Sequence, residues 1–360
     1  MSAHEVLFIP GPVEVDEELR LIMAMPLIGH RNPDFVSEVK SVCAKLTGLF
    51  LTDTDQSGSA TMFENAPATA LMEAGIRNLV AREGRVLHLT CGAFSERWAK
   101  ISAACGRQVS TLGVDWGQTI KAEELRQKLR ESDPFDAVCI TQNETSTGVL
   151  ADLQDLARVC REESPEALVL VDAVTSLGGA ELRFDDWGID LAFAGTQKCL
   201  ALPPGLCVYA VSQRAFASAK TVTERGFLLD FLQARKGLAD GKTAATPNVP
   251  LVFALSHQLD RITRETLQMR WARHTAMRDA TIQWADANGF EPFVDAASRS
   301  TTVTTLLAPG RDIMELAVRA KNSGFAMDKG YGKLKGEAFR IGHMGDHSPE
   351  RLQQLLDALV

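Results

Sequence analysis

Asp172 and Lys198 are the two residues of this 360-residue chain whose type and placement best suit shared chemistry. Asp172 closes the apolar run Ala167–Val171. Gln197 and Lys198 follow a second run, Asp190–Ala194, through Gly195-Thr196. Short, continuous apolar runs bounded by small and polar residues read as buried parallel strands. In an open α/β sheet, reactive groups collect beyond the carboxyl ends of the strands. The pattern therefore brings a carboxylate and an amine to one crevice. A lone Asp or Lys is ordinarily a solvated surface group. The rest of the chain has to supply the reason to read these two differently.

The elements that would position them follow in order. FIPGPVEV is an extended arm with a turn at Pro10-Gly11-Pro12. A short amphipathic helix carries Val15, Leu19, Ile22 and Met23, then GHRNPDF leaves His30-Arg31 in a loop. A stronger helix follows with Phe35, Val39, Val42, Leu46 and Leu49 on one face. After a small, polar stretch from Gln56, a helix begins near Pro67, with Ala68 and Thr69 in its first turn. Free amides and a hydroxyl at a helix start can hold an anion.

Strands and helices then alternate. The strand RVLHLT precedes the helix of CGAFSERWAKISAACG, and the strand QVSTLGV precedes a helix at 122–130. The strand FDAVCITQ leads into NETSTGV and a helix at 153–160. This βαβα rhythm predicts an α/β fold with a mostly parallel, mixed sheet flanked by helices. None of the junctions carries a dinucleotide or P-loop glycine signature. The segment from Thr221 to Pro250 reads as a long mixed loop, which suggests a partner surface. One long or kinked helical stretch, 251–288, leads into a smaller C-terminal α+β domain. That domain has a strand at 301–307, a helix at 313–322, a strand at 338–344 and a last helix from Pro349. The expected division is an arm, 1–14, a large domain, 15–250, and a linking helix with the small domain, 251–360.

The chain is 45% hydrophobic and 23% charged, with a net charge of −8, which is the composition of a globular protein. An acidic balance argues against nucleic acid and against an anionic membrane surface as partners. No run of about 18 apolar residues appears, and the start lacks a signal-like pattern. The expectation is a cytoplasmic protein. Seven cysteines without CxxC spacing read as free thiols, with no metal site.

The sheet edge gathers Thr69 at a helix start, Phe94 after RVLHLT, the hydroxyls of 143–147, then Asp172, Gln197 and Lys198. Pyridoxal 5′-phosphate asks for such a set. Its phosphate needs amides and hydroxyls, and its ring needs a flat stacking partner. Its pyridine nitrogen needs a carboxylate, and its aldehyde needs a lysine to form a Schiff base.

The motifs PGP, ETSTG, LVDAVTSLGG, GTQKCLALPPG and RIGHMG, in that order, resemble the class V, fold-type I aminotransferases. The branch is that of alanine–glyoxylate and serine–pyruvate aminotransferases, with some phosphoserine-aminotransferase-like features. The resemblance implies Lys198 as the Schiff-base lysine and Asp172 as the partner of the pyridine nitrogen. It implies Phe94 as the stacking aromatic, Thr145 near the phenolic oxygen, and Gln197, Ala68 and Thr69 as further cofactor contacts. The family's Ser-Gly pair is replaced by Pro67-Ala68. Proline donates no amide, so Ala68 and Thr69 carry more of the phosphate contact. KTAATPNVP resembles the segment by which a partner subunit completes the phosphate site, which points to Thr243, Thr246 and a homodimer. Arg340 matches the arginine that pairs with the substrate α-carboxylate. Gly11 is expected to bring its backbone to the same carboxylate.

The implied reaction is ping-pong transamination between a small amino acid, alanine or serine, and glyoxylate or pyruvate. Phosphoserine with 2-oxoglutarate is the alternative, raised by His30-Arg31, Lys333 and Lys335. A 2-aminoethylphosphonate aminotransferase, a lyase and a non-catalytic subunit remain further alternatives. Cysteine desulfuration is disfavoured, because no cysteine follows Cys207.

Overall fold

A computed structural model describes residues 4–360; the first three residues of the expected arm lie outside the described residues. Its centre is a seven-stranded sheet in the spatial order Ala60–Glu64, Cys207–Val211, Leu191–Gly195, Leu168–Asp172, Ala137–Thr141, Arg85–Thr90, Gln108–Gly113. Only Cys207–Val211 runs antiparallel to its neighbours. The five strands from Leu191–Gly195 to Gln108–Gly113 pair in parallel, with Asp172 opposite Thr141 on one side and Phe193 on the other. LVLVD and AVCIT are buried at every position. Such runs, apolar and rich in β-branched residues up to their last position, suit strands covered on both faces.

The chain moves outward from Arg85–Thr90 to Gln108–Gly113, then returns to place Ala137–Thr141 on the opposite side of Arg85–Thr90. That reversal opens a crevice beyond the carboxyl ends of these two strands. The loops after Thr90 and Thr141 flank it. Neither the Ala60–Glu64 strand nor the antiparallel Cys207–Val211 strand was evident from composition. The first hides in a small, polar stretch, and its identity comes from five backbone pairings with the second.

The helical segments carry their own punctuation. Pro33–Phe50 starts at the Asn32 cap, whose side chain accepts from the Asp34 amide, and ends at Leu51 in the left-handed region. It buries Phe35, Val39, Val42, Leu46 and Leu49, the face predicted from spacing. The expected long helix is two, Val249–Glu265 and Leu267–Ala287, broken at Thr266, where φ is +69°. The Thr266 hydroxyl caps the second helix by accepting from the Met269 amide. The expected loop between 221 and 250 also contains a helix, Phe231–Ala239, capped by Asp230.

The small domain is a three-stranded antiparallel sheet, Glu291–Pro292, Val303–Leu307 and Ala338–Gly342, packed on helices Leu267–Ala287, Ile313–Asn322 and Pro349–Ala358. It has its own core, including Met277, Phe290, Leu306, Phe339, Ile341 and Leu355. The N-terminal arm belongs to that core. Val6–Leu7 pairs with Phe325–Ala326, and fully buried Phe8 stacks on His347 with ring centroids 3.9 Å apart. All seven cysteines are free. No helix among the described residues is long and apolar enough to cross a membrane.

Candidate active site

The parallel strands aim Asp172, the 142–147 loop, the Gly92–Phe94 turn and Lys198 at one edge. Asp172 is buried and accepts one hydrogen bond, from the Val174 amide at 2.9 Å. Its other oxygen has no hydrogen-bond partner among the described residues. Burial raises this carboxyl to about 7; the Val174 amide opposes the shift, the Glu144 charge adds to it, and the Lys198 and Arg97 charges oppose it.

Lys198 follows the Leu191–Gly195 strand in a tight turn. The Thr196 hydroxyl donates to the carbonyl of Pro203 at 2.7 Å, and the Ala201 amide donates to the carbonyl of Lys198. Buried Arg270 donates to the next carbonyl, that of Cys199, at 2.7 Å while paired with Glu265 and Asp346. The turn is thus fixed to both linking helices and to the segment after Arg340. Burial lowers Lys198 to about 8, and the charge of Arg340 adds to the effect. Its ammonium donates to the carbonyl of Pro10. Gly11, at φ +119°, lies so close that a Cβ there would come within 2.7 Å of the lysine's Cδ and Nζ. Only glycine lets the arm close over this amine.

Arg340 comes from the small domain and is 4% exposed. Its Nε donates to Asp328 at 2.8 Å, and its Nη1 donates to the Thr145 carbonyl at 2.7 Å. Its Nη2 has no partner among the described residues. The Thr145 hydroxyl pairs with that of Thr175 at 2.5 Å. Glu144 falls within the 143–147 stretch expected at the sheet edge, but the sequence assigned it no role. Its fully buried carboxylate accepts from the amides of Phe94, Ser95 and Ser146 and from both serine hydroxyls. It thereby fixes the turn that holds Phe94. Asn143, in the same stretch and likewise without an assigned role, has both side-chain amide atoms buried and without partners among the described residues.

Phe94 is half-buried and lies parallel to Tyr331, with centroids 5.5 Å apart and an 18° interplanar angle. Ala68 and Thr69 open the helix Ala68–Leu79, whose Pro67 cap makes no side-chain hydrogen bond. Their amides have no partners among the described residues, and Thr69 is exposed. Gln197 is half-buried, with its side chain folded over Gly195. Thr246 is exposed, and its carbonyl accepts from Asn65 at 2.9 Å. The Thr243 hydroxyl donates to the carbonyl of Ala245. This places the TAATP segment beside the end of the Ala60–Glu64 strand. Arg31, Lys333 and Lys335 are exposed, and Lys333 sits over the Trp116 ring at 5.1 Å. No cluster able to hold a metal occurs among the described residues.

This architecture is that of a pyridoxal-phosphate-dependent transaminase. The family profile of class-V aminotransferases matches residues 66–331, and the chain belongs to that family. It is 35% identical to an uncharacterized aminotransferase of Methanocaldococcus jannaschii over 96% of this chain and 89% of that protein. It is 31% identical to a serine–glyoxylate aminotransferase of Methylorubrum extorquens, over 94% and 86%. The structure of an alanine–glyoxylate aminotransferase from Nostoc sp. superposes with a TM-score of 0.92 at 29% identity, covering 100% of this chain and 95% of that one. The protein is therefore an enzyme, a transaminase, and its cofactor is pyridoxal 5′-phosphate.

The residues fit that cofactor. The bare helix start at Ala68 offers amides to a phosphate. Asp172 has an unpartnered oxygen for a ring nitrogen. Lys198 holds its proton weakly, as an aldehyde-reactive amine must.

Proposed function

We propose that the enzyme transfers an amino group between a small amino acid, alanine or serine, and glyoxylate or pyruvate. The observation that carries this reading is Arg340. A buried guanidinium, aimed by Asp328 and the Thr145 carbonyl, keeps one nitrogen unpartnered and depresses the proton affinity of Lys198. An α-carboxylate would satisfy that nitrogen. The names of the serine–glyoxylate and alanine–glyoxylate relatives support the choice of substrates.

Bound pyridoxal phosphate supplies an electron-accepting ring and a reactive aldehyde carbon. Asp172 holds the ring nitrogen in its charged form, and its own raised proton affinity falls once that positive charge is adjacent. As a neutral amine, Lys198 would take the proton from the donor's α-carbon. Ala68 and Thr69 hold the phosphate, Phe94 the ring face, and Thr145 and Gln197 its polar edge. Gly11 and the Pro10 carbonyl close the crevice and exclude water. Thr243 and Thr246 of a second copy complete the phosphate site in a homodimer.

The test is a transamination panel with alanine, serine, phosphoserine and glutamate as donors, and glyoxylate, pyruvate and 2-oxoglutarate as acceptors. Preference for alanine or serine with glyoxylate or pyruvate supports the reading. A dominant rate with phosphoserine and 2-oxoglutarate overturns it.

A further inference from the structure

We infer that Tyr331 determines which donor side chains this site accepts, by limiting the room between Phe94 and Arg340. The inference rests on the proposed reading that Arg340 binds the substrate carboxylate and Phe94 faces the cofactor ring. Tyr331 touches both. Its ring lies parallel to Phe94 at 5.5 Å, and the Arg340 guanidinium sits 5.4 Å from its centroid. A donor anchored at Arg340 and reacting near Phe94 must pass its side chain along this ring.

The tyrosine is held from three directions. Arg97, one helical turn beyond Phe94, donates from Nη2 to the Tyr331 hydroxyl at 3.0 Å and lies over the Phe94 ring at 4.7 Å. Arg97 forms no ion pair among the described residues, so this hydroxyl is its one polar partner there. The loop that delivers Tyr331 is pinned at both flanks. A Cβ at Gly330, at φ +86°, would come within 2.2 Å of the Leu334 carbonyl; one at Gly332 would come within 2.8 Å of Trp116. Trp116 donates in turn to Glu96, on the same helix as Arg97, and carries Lys333 over its ring. A small-domain loop is thus clamped on the large-domain helix Ala93–Ala104, which carries Phe94 in its first turn. The clamp leaves the aromatic little freedom to swing aside, so its bulk acts as a fixed limit on size. Tyr331 is a specificity-determining residue; Arg97 positions it.

In a hydrophobic pocket one methylene changes discrimination by about 10- to 200-fold. Removing the ring should therefore shift kcat/KM toward 2-aminohexanoate over alanine by roughly 10- to 100-fold. Tyr331→Ala, Tyr331→Leu and Tyr331→Phe are compared with the unmodified holoenzyme. The visible absorbance of bound pyridoxal phosphate serves as the check on folding and loading. A second readout needs no turnover: calorimetric binding of unreactive carboxylates from propionate to hexanoate. Tyr331→Ala or Tyr331→Leu should favour the longer acids. Tyr331→Phe should keep the short-chain preference, because the ring remains. An Arg340→Met variant separates the two ideas. If it binds every carboxylate as the unmodified enzyme does, the underlying reading of Arg340 fails. If it loses them all while Tyr331→Ala and Tyr331→Leu keep the original length profile, only the Tyr331 inference is overturned.

Discussion

The protonation of Lys198 offers the sharpest test of the site's electrostatics. Burial, then the charge of Arg340, lowers this lysine from 10.5 to about 8. At pH 7.5 an amine titrating at about 8 is roughly one-quarter neutral, whereas one titrating at 10.5 is neutral about one time in a thousand. The site therefore raises the population of nucleophilic amine by about 200-fold. Arg340→Met removes the second cause and leaves the first. Its lysine should titrate above 8 and still below 10.5. The assay exposes apoenzyme to acetic anhydride between pH 6 and 10 and quantifies the Lys198 peptide by mass spectrometry. Acetylation should rise through a midpoint near 8 in the unmodified protein and at higher pH in Arg340→Met. A midpoint near 10.5 in the unmodified protein would refute the reasoning. So would a midpoint that Arg340→Met leaves in place.

Two further outcomes follow from the geometry. Gly11→Ala places a Cβ against Lys198 at a backbone angle that L-residues avoid, a strain of about 1–3 kcal/mol. It should lower the melting temperature or displace the arm, and slow cofactor incorporation measured by absorbance; unchanged values for both would contradict the close approach. Glu64, at the end of the Ala60–Glu64 strand, is raised by burial from 4.5 to about 7, and one of its oxygens has no partner among the described residues. Its folded-state value lies above its unfolded value. The stability this protonation contributes is therefore full below pH 4.5 and lost as pH rises through 7. Glu64→Gln should be more stable than the unmodified protein at pH 8 by up to about 3 kcal/mol, relative to the difference at pH 4.5. Urea denaturation at the two pH values measures this, and a pH-independent difference would count against it.

Much of the large domain was legible because burial wrote itself into the chain. LVLVD and AVCIT have the composition that a doubly covered strand demands, and they appear where expected, within two residues at each end. The Pro33–Phe50 helix shows its inward face directly in the spacing of its apolar residues. The Ala60–Glu64 strand was not legible, because ATMFE acquires its identity from pairing with Cys207–Val211, far along the chain. The helix break at Thr266 escaped for a similar reason. Both flanks are good helix formers, and the break is a single residue at positive φ. Within the site, the motif residues were visible and their supports were not. Glu144 and Asn143 lay in a quoted motif, but a carboxylate's role as the anchor of a distant turn depends on which amides surround it. Arg97 carried one available signal, its position three residues beyond Phe94, which puts both on one face of a helix.

The sequence alone determined the alternation of strands and helices, and with it the edge where Asp172 and Lys198 emerge. That information is local: hydrophobic period, strand length and the residues that end each strand. It also determined the family, because the motifs stand in a fixed order. Tertiary structure decided how the segments meet. It folded the arm into the small-domain core before laying Gly11 against Lys198. It brought Arg340 onto the Thr145 carbonyl and set Tyr331 between Arg340 and Phe94. Apart from Tyr331 and Arg340, which are close in sequence, these contacts join residues half the chain or more apart. They arise from the packing of one domain against the other, which no local period in the sequence encodes.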